Sequence, residues 1–233
     1  MSFLSDYAML RSSFQQEGSP VQLDGYPFEF SRWTFESPLS ALLPGAGEYQ
    51  CVSHGLTFDG DDAALPELPD THREPCLEIP DCAIENNQRF EYRILAPAGQ
   101  QRHDSAILLL HGLNEKLWDK YLPWALGLVQ RTGRPVILMP LAFHMNRAPG
   151  EWCQSRRMQR VAEQRQSTHR SLTASSFTNA AISTRLHEKP QRFYWSGLQT
   201  YEDLLTLARL LRSGTHPLFS EGARMDIFSY SIG

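Results

Sequence analysis

The segment that most limits the folds open to this chain is Ala106-Ile107-Leu108-Leu109-Leu110, an unbroken apolar run that stops abruptly at His111-Gly112. A strand with one wet face alternates, whereas a run apolar at every position needs cover on both faces. That is the situation of a central strand in a parallel sheet with helices above and below. Val136-Ile137-Leu138-Met139, closed by Pro140, reads as a second such strand, and Ala223 to Phe228 as a third buried one. Between the first two, Pro123 to Arg131 carries Trp124, Ala125, Leu128 and Val129 at helical spacing. A proline is tolerated in a first turn, and Gly133 supplies the stop. Strand, helix, strand in that order predicts a parallel pair joined by a right-handed crossover. The expected fold class is therefore α/β, a predominantly parallel sheet with flanking helices, in which residues 106–110, 136–139 and 225–229 are neighbours.

The remaining segments are placed around this frame. Phe90 to Leu95 alternates in places and is expected to pair beside the 106–110 strand. Thr200 and Asp203 have capping-box spacing, followed by Leu204, Leu207, Ala208 and Leu211 on one face and Gly214 as a stop. This predicts a helix crossing back to the third strand. Residues 150–195 exceed a simple connection and carry Arg156, Arg157, Arg160, Arg165 and Arg170; a lid insertion with arginines on solvated helix faces is expected there.

Residues 1–85 read as an acidic, irregular N-terminal extension in front of a domain spanning 86–233. Its aromatics are scattered among Pro, Gly and acids, and Asp59 to Asp70 reads as a loop without the terminal glutamate of a calcium site. Charge divides accordingly: residues 1–105 hold 17 acids and 6 bases, residues 106–233 hold 9 acids and 16 bases, and the net is −4. Cys51, Cys76, Cys82 and Cys153 have no Cys-x-x-Cys spacing, so neither a disulfide framework nor a metal site is expected. No stretch approaches the run of about 18 apolar residues that spans a bilayer. The start lacks a basic segment followed by an apolar one, so no membrane association is expected and a cytoplasmic location is the default.

The third strand runs into Ser229-Tyr230-Ser231-Ile232-Gly233, a serine with small residues two before and two after it. Small flanks let a strand turn sharply into a helix and leave the central hydroxyl exposed. A strand ending in His-Gly-x, then a much later strand feeding small-x-Ser-x-Gly, resembles the α/β-hydrolase superfamily over roughly residues 90–233. Ser229 stands where that family more often has glycine. The resemblance implies that Ser231 is a nucleophile and that the main-chain N–H groups of Leu113 and Ile232 form an oxyanion hole. It implies a shaping role for His111 rather than that of base. It also implies an acid and a catalytic histidine downstream of the serine, so the chain is expected to be the front part of a longer protein and inactive as a fragment.

Ligands in open α/β sheets bind beyond the carboxyl ends of the strands, where the loop after Met139 emerges. His144, Asn146 and Arg147 are therefore candidate substrate contacts, Arg147 able to grip a carboxylate or phosphate; a loop held by its own hydrogen bonds is the alternative. Asn114 and Glu115 read as a cap and first-turn acid. The expected function is a serine-dependent acyl hydrolase, esterase- or peptidase-like, acting on a small-molecule or peptide acyl substrate without cofactor or nucleic acid. The alternatives are a non-catalytic binding or scaffolding protein of the same fold, and an acyltransferase.

Overall fold

The computed structural model describes residues 3–39, 49–51, 56–58, 79, 81–100, 102–168, 171, 176–180 and 191–231. Eight strands are present among them: β1 (Val21–Gln22), β2 (Phe28–Glu36), β3 (Tyr49–Cys51), β4 (Leu56–Phe58), β5 (Arg89–Pro97), β6 (His103–Leu110), β7 (Val136–Leu138) and β8 (Phe219–Ser229). Strands β3 and β4 pair as a separate antiparallel ribbon, and the other six form one sheet in the order β1-β2-β5-β7-β6-β8. The helices include α1 (Phe3–Gln15), the single turn α2 (Glu85–Gln88), α3 (Leu122–Thr132), α4 (Ser155–Thr168) and α5 (Gln191–Arg212).

The expected trio holds: β6 pairs parallel with β7 on one side, Leu108 opposite Ile137, and with β8 on the other, Leu108 opposite Ile227. The sheet as a whole is mixed, not predominantly parallel, because β1, β2, β5 and β7 pair antiparallel. The cause lies in the short link 98–102. A parallel partner needs a crossover of a dozen or more residues, so β5, joined to β6 by so little chain, must run opposite to it. It also does not lie beside β6 as expected; it pairs with β7, Ile94 opposite Ile137.

Alternation along β6 explains why every position had to be apolar. Ile107 and Leu109 enter a core with Leu122, Ala125, Leu126 and Val129 of α3 and Leu10 of α1. Ala106, Leu108 and Leu110 point the other way, into a core with Leu207 and Leu211 of α5. Leu108 is fully buried; truncating such a side chain to alanine costs about 2–5 kcal/mol. Helix α3 ends where Gly133, at φ 67°, returns its N–H to the carbonyl of Val129 at 2.8 Å.

The first 85 residues are not a mere extension. β2 pairs with β5 along its whole length, from Phe28 opposite Pro97 to Glu36 opposite Arg89, and Phe30 and Phe35 of that strand enter opposite faces of the core. Asp81 is buried in an ion pair with Arg192 at the start of α5, Nε to Oδ1 2.8 Å. The loop read over 59–70 lies outside the described residues. Helix α5 begins at Gln191, nine residues before the expected capping box. Thr200 and Asp203 thus sit inside the helix, where their side chains serve tertiary contacts. Residues 150–168 of the expected lid contain a 3₁₀ turn, Gly150–Cys153, and α4, whose Met158, Val161 and Ala162 bury against Ala180.

Candidate active site

The connections place a switch point between β6 and β8. From β6 the chain leaves over the face covered by α3 to reach β7, then returns over the opposite face through α5 to β8 on the far side of β6. Crevices for ligands form at the carboxyl ends of strands where the direction of connection reverses in this way. Those ends carry His111-Gly112 after β6 and Tyr230-Ser231 after β8.

The two turns touch. The N–H of Tyr230 donates to the carbonyl of Leu110 at 3.3 Å. A methyl group built on Gly112 would lie 3.1 Å from Cδ1 of Tyr230 and 3.3 Å from Cβ of Ser231. Glycine at 112 thus lets the Tyr230 and Ser231 side chains approach closely; a methyl there would make them shift by a few tenths of an ångström. Ser231 is exposed and has φ 63°. The left-handed region is costly for a residue with a Cβ and is retained where the surroundings over-determine it. Leu113 follows Gly112 directly and is half exposed; Ile232, the other expected oxyanion donor, lies outside the described residues.

His111 is fully buried with both ring nitrogens engaged. Nε2 accepts the N–H of Leu141 at 2.9 Å, which fixes the proton on Nδ1, and Nδ1 donates to the carbonyl of Gly112 at 2.9 Å. Burial, only partly opposed by that bond to Gly112, drives its pKa down to about 3. It is a neutral brace linking the turns after β6 and β7, in keeping with the shaping role rather than that of base.

A group that sequence reading missed organises the loop after Gly112. The N–H of Gly112 donates to the hydroxyl of the fully buried Tyr121 at 2.7 Å, and that hydroxyl donates to Glu115 at 3.2 Å. Glu115 forms an ion pair with Lys120 and, through its carbonyl, accepts the N–H of Met145 at 3.2 Å. Glu115 is thus no first-turn acid of a helix; it joins the loops after β6 and β7. The ammonium of Lys120 lies 4.9 Å from the ring centre of Tyr121 and 4.8 Å from that of Tyr230.

The three candidate substrate contacts separate. His144 is buried 5.3 Å from the ring of His111 and bonds through Nδ1 to the carbonyl of Ala142. Asn146 is exposed, and its amide donates to the carbonyl of Glu91 at 2.9 Å. Arg147 is fully buried and grips this chain's own groups: Asp203 at 2.7 Å, Asn87, and the carbonyl of Pro140. It also stacks on Phe90 at 3.9 Å. Burial lowers its pKa to about 10, leaving it charged opposite Asp203. Arg147 is therefore an anchor of the β7 loop, and its substrate role is withdrawn. From the insertion, Phe177 comes within 5.8 Å of the Lys116 ammonium in the loop after β6.

A family model for DUF6051, a family of unknown function, matches residues 1–233. The chain belongs to that family. No curated protein and no solved structure matches this DUF6051 chain. No helix among its described residues is long and apolar enough to cross a membrane.

Proposed function

We propose that this DUF6051 protein is a serine-dependent acyl hydrolase, esterase- or peptidase-like, of α/β-hydrolase type. The observation that carries the reading is Ser231 held at φ 63° at the carboxyl end of β8, against Gly112. The Ser231 hydroxyl attacks the acyl carbon, its proton passes to a base, and the leaving group departs with a proton. Water then cleaves the acyl-serine and restores the hydroxyl. Main-chain N–H groups of Leu113 and Ile232 stabilise the negative oxygen of each tetrahedral intermediate; donors of this kind are worth about 3–4 kcal/mol. The substrate is a small-molecule or peptide acyl compound, the location cytoplasmic, and acyl transfer by this route needs no cofactor.

Family order places the acid and the catalytic histidine after the serine. Consistent with that order, His111 has no lone pair to offer Ser231, both nitrogens being engaged. The same fact favours the second reading, a binding or scaffolding protein that keeps the architecture without chemistry. Acid quenching of the full-length natural protein during turnover of an activated ester separates them. An acyl group trapped on Ser231 and lost in Ser231→Ala supports the hydrolase; ester cleavage unchanged by that substitution removes it. Product analysis distinguishes water from another acceptor and so tests the acyltransferase alternative.

A further inference from the structure

We propose that Lys120 is a positioning residue that locks together the two turns carrying the oxyanion donors. The inference rests on the hydrolase reading for its catalytic consequence and on geometry alone for the lock. One turn follows β6 and the other follows β8, and they are far apart in sequence. Beside their direct contact, Lys120 adds a charged tie: its ammonium pairs with Glu115, which accepts from the hydroxyl of Tyr121, which in turn accepts the N–H of Gly112. The same ammonium lies over Tyr230, the residue before Ser231. One cation thereby touches both the loop after β6 and the turn that leads into Ser231.

The physical form of this lock separates positioning from stability. Lys120 is about half exposed, 47% of its side chain being accessible. Exposed ion pairs and exposed cation–π contacts each contribute little to folding. Placement within the site is far more sensitive, since an error of about 1 Å can cost on the order of a hundredfold in rate. Because the N–H of Gly112 is already spent on Tyr121, the hydrolase reading assigns the oxyanion donor of this loop to the following residue, Leu113. Loss of the lysine removes the charged partner of the Glu115 carboxylate and the cation over the Tyr230 ring. The two turns are then joined by the Tyr230–Leu110 hydrogen bond and by packing around Gly112 and Tyr121, and so are looser relative to one another.

The test uses the full-length natural protein with Lys120→Met, which keeps the aliphatic stem, and Lys120→Arg, which keeps the cation. Amide hydrogen exchange should show peptides over 106–114 and 225–231 losing protection together by about tenfold in Lys120→Met, with recovery in Lys120→Arg and little change in thermal midpoint. Unchanged protection, or loss confined to one of the two turns, overturns the lock, whether or not the protein is an enzyme. With a fluorophosphonate, Ser231 labelling should slow by about tenfold in Lys120→Met and recover in Lys120→Arg. Labelling unaffected by either variant overturns the positioning role, whereas a wild-type protein with no reaction at Ser231 tells against the hydrolase reading and leaves the exchange result to decide the lock.

Discussion

The turns that lead into the three parallel strands and the turns that lead out of them solve one problem in different ways. Leading in, the left-handed residues are Gly99 before β6, Gly133 before β7 and Gly214 before β8, at φ 74°, 67° and 67°. Leading out, they are Asn114 after β6, Phe143 and Met145 after β7, and Ser231 after β8, at φ 57°, 61°, 50° and 63°. Where the chain merely reverses, glycine takes the conformation at little steric cost. Where the strand ends face the crevice, side chains are kept despite a penalty of about 1–2 kcal/mol each. Such strain survives only if neighbouring structure over-determines it: His111 and Glu115 tie the turns after β6 and β7 together, Arg147 holds the carbonyl of Pro140 in the β7 turn, and the turn at Ser231 packs on Gly112.

The largest expected effect tests that support. Arg147→Met leaves Asp203 buried and uncompensated and should lower unfolding free energy by about 3–5 kcal/mol in urea titration. A loss under about 1 kcal/mol would mean that the outgoing turns do not depend on this anchor.

Next comes pH, because each set of turns contains a buried histidine. His216, in the turn into β8, accepts the N–H of Leu218 on Nδ1 and meets the Tyr92 hydroxyl at 3.1 Å. Burial lowers its pKa from 6.5 to about 4, and that of His111 to about 3. A depressed histidine favours the unfolded state's proton uptake, so stability is full above about pH 6.5 and falls as pH drops. The loss for His216 is complete near its folded pKa and amounts to about 3 kcal/mol. His216→Gln should flatten the stability profile between pH 6.5 and 4; an unchanged slope would show that this histidine is not neutral and buried.

Substituting the ingoing glycines sharpens the comparison further. Gly214→Ala would place a methyl 2.9 Å from the backbone nitrogen of Glu221 as well as straining φ, whereas Gly133→Ala meets nothing within 4 Å. Expected losses are about 3 and 1 kcal/mol respectively; equal losses would show that backbone strain alone governs these turns. The smallest effect is for Asn114→Gly on the outgoing side. Relief of strain and gain of unfolded-chain entropy nearly cancel, leaving stability within about 1 kcal/mol of wild type. Thermal unfolding checks this, and a larger loss would locate an unrecognised contact of the Asn114 side chain.

What could be read from sequence follows from how local the determinants are. The strands β6 and β7 carry their own apolar runs, and α3 its own proline and glycine, so each was legible; β8 was legible as their parallel neighbour but is not the buried strand expected, since it lies at the sheet edge with Ile227 and Phe228 exposed. Of α5 only the second half was legible, through Leu207 and Leu211 and the stop at Gly214; in its first half the buried positions 192, 199 and 203 are Arg, Gln and Asp, with Trp195 the one buried apolar residue among them. Their partners are remote: Asp203 meets Arg147 and Ser37, and Gln199 meets Asn87. No periodicity rule detects a helix whose core face is a polar network. Pro190, just ahead of Gln191, was the available start signal. Strand β2 was hidden for a related reason, since Ser31 and Arg32 interrupt the alternation of its aromatic residues. At the site, the two motifs and their meeting were legible, but Tyr121 and Lys120 were not: the Tyr121 hydroxyl acts through an irregular loop that folds back on Gly112, and Lys120 through the approach of a turn more than 100 residues away.

The central claim is that the strained turn at Ser231 is a nucleophile elbow. Intact mass followed by peptide mapping of the full-length natural protein after fluorophosphonate treatment tests it most directly. A single phosphonyl adduct on Ser231, absent in Ser231→Ala and after prior unfolding, is the predicted result. An unmodified Ser231 under conditions that label a known serine hydrolase to completion, or an adduct that persists in Ser231→Ala, would contradict it.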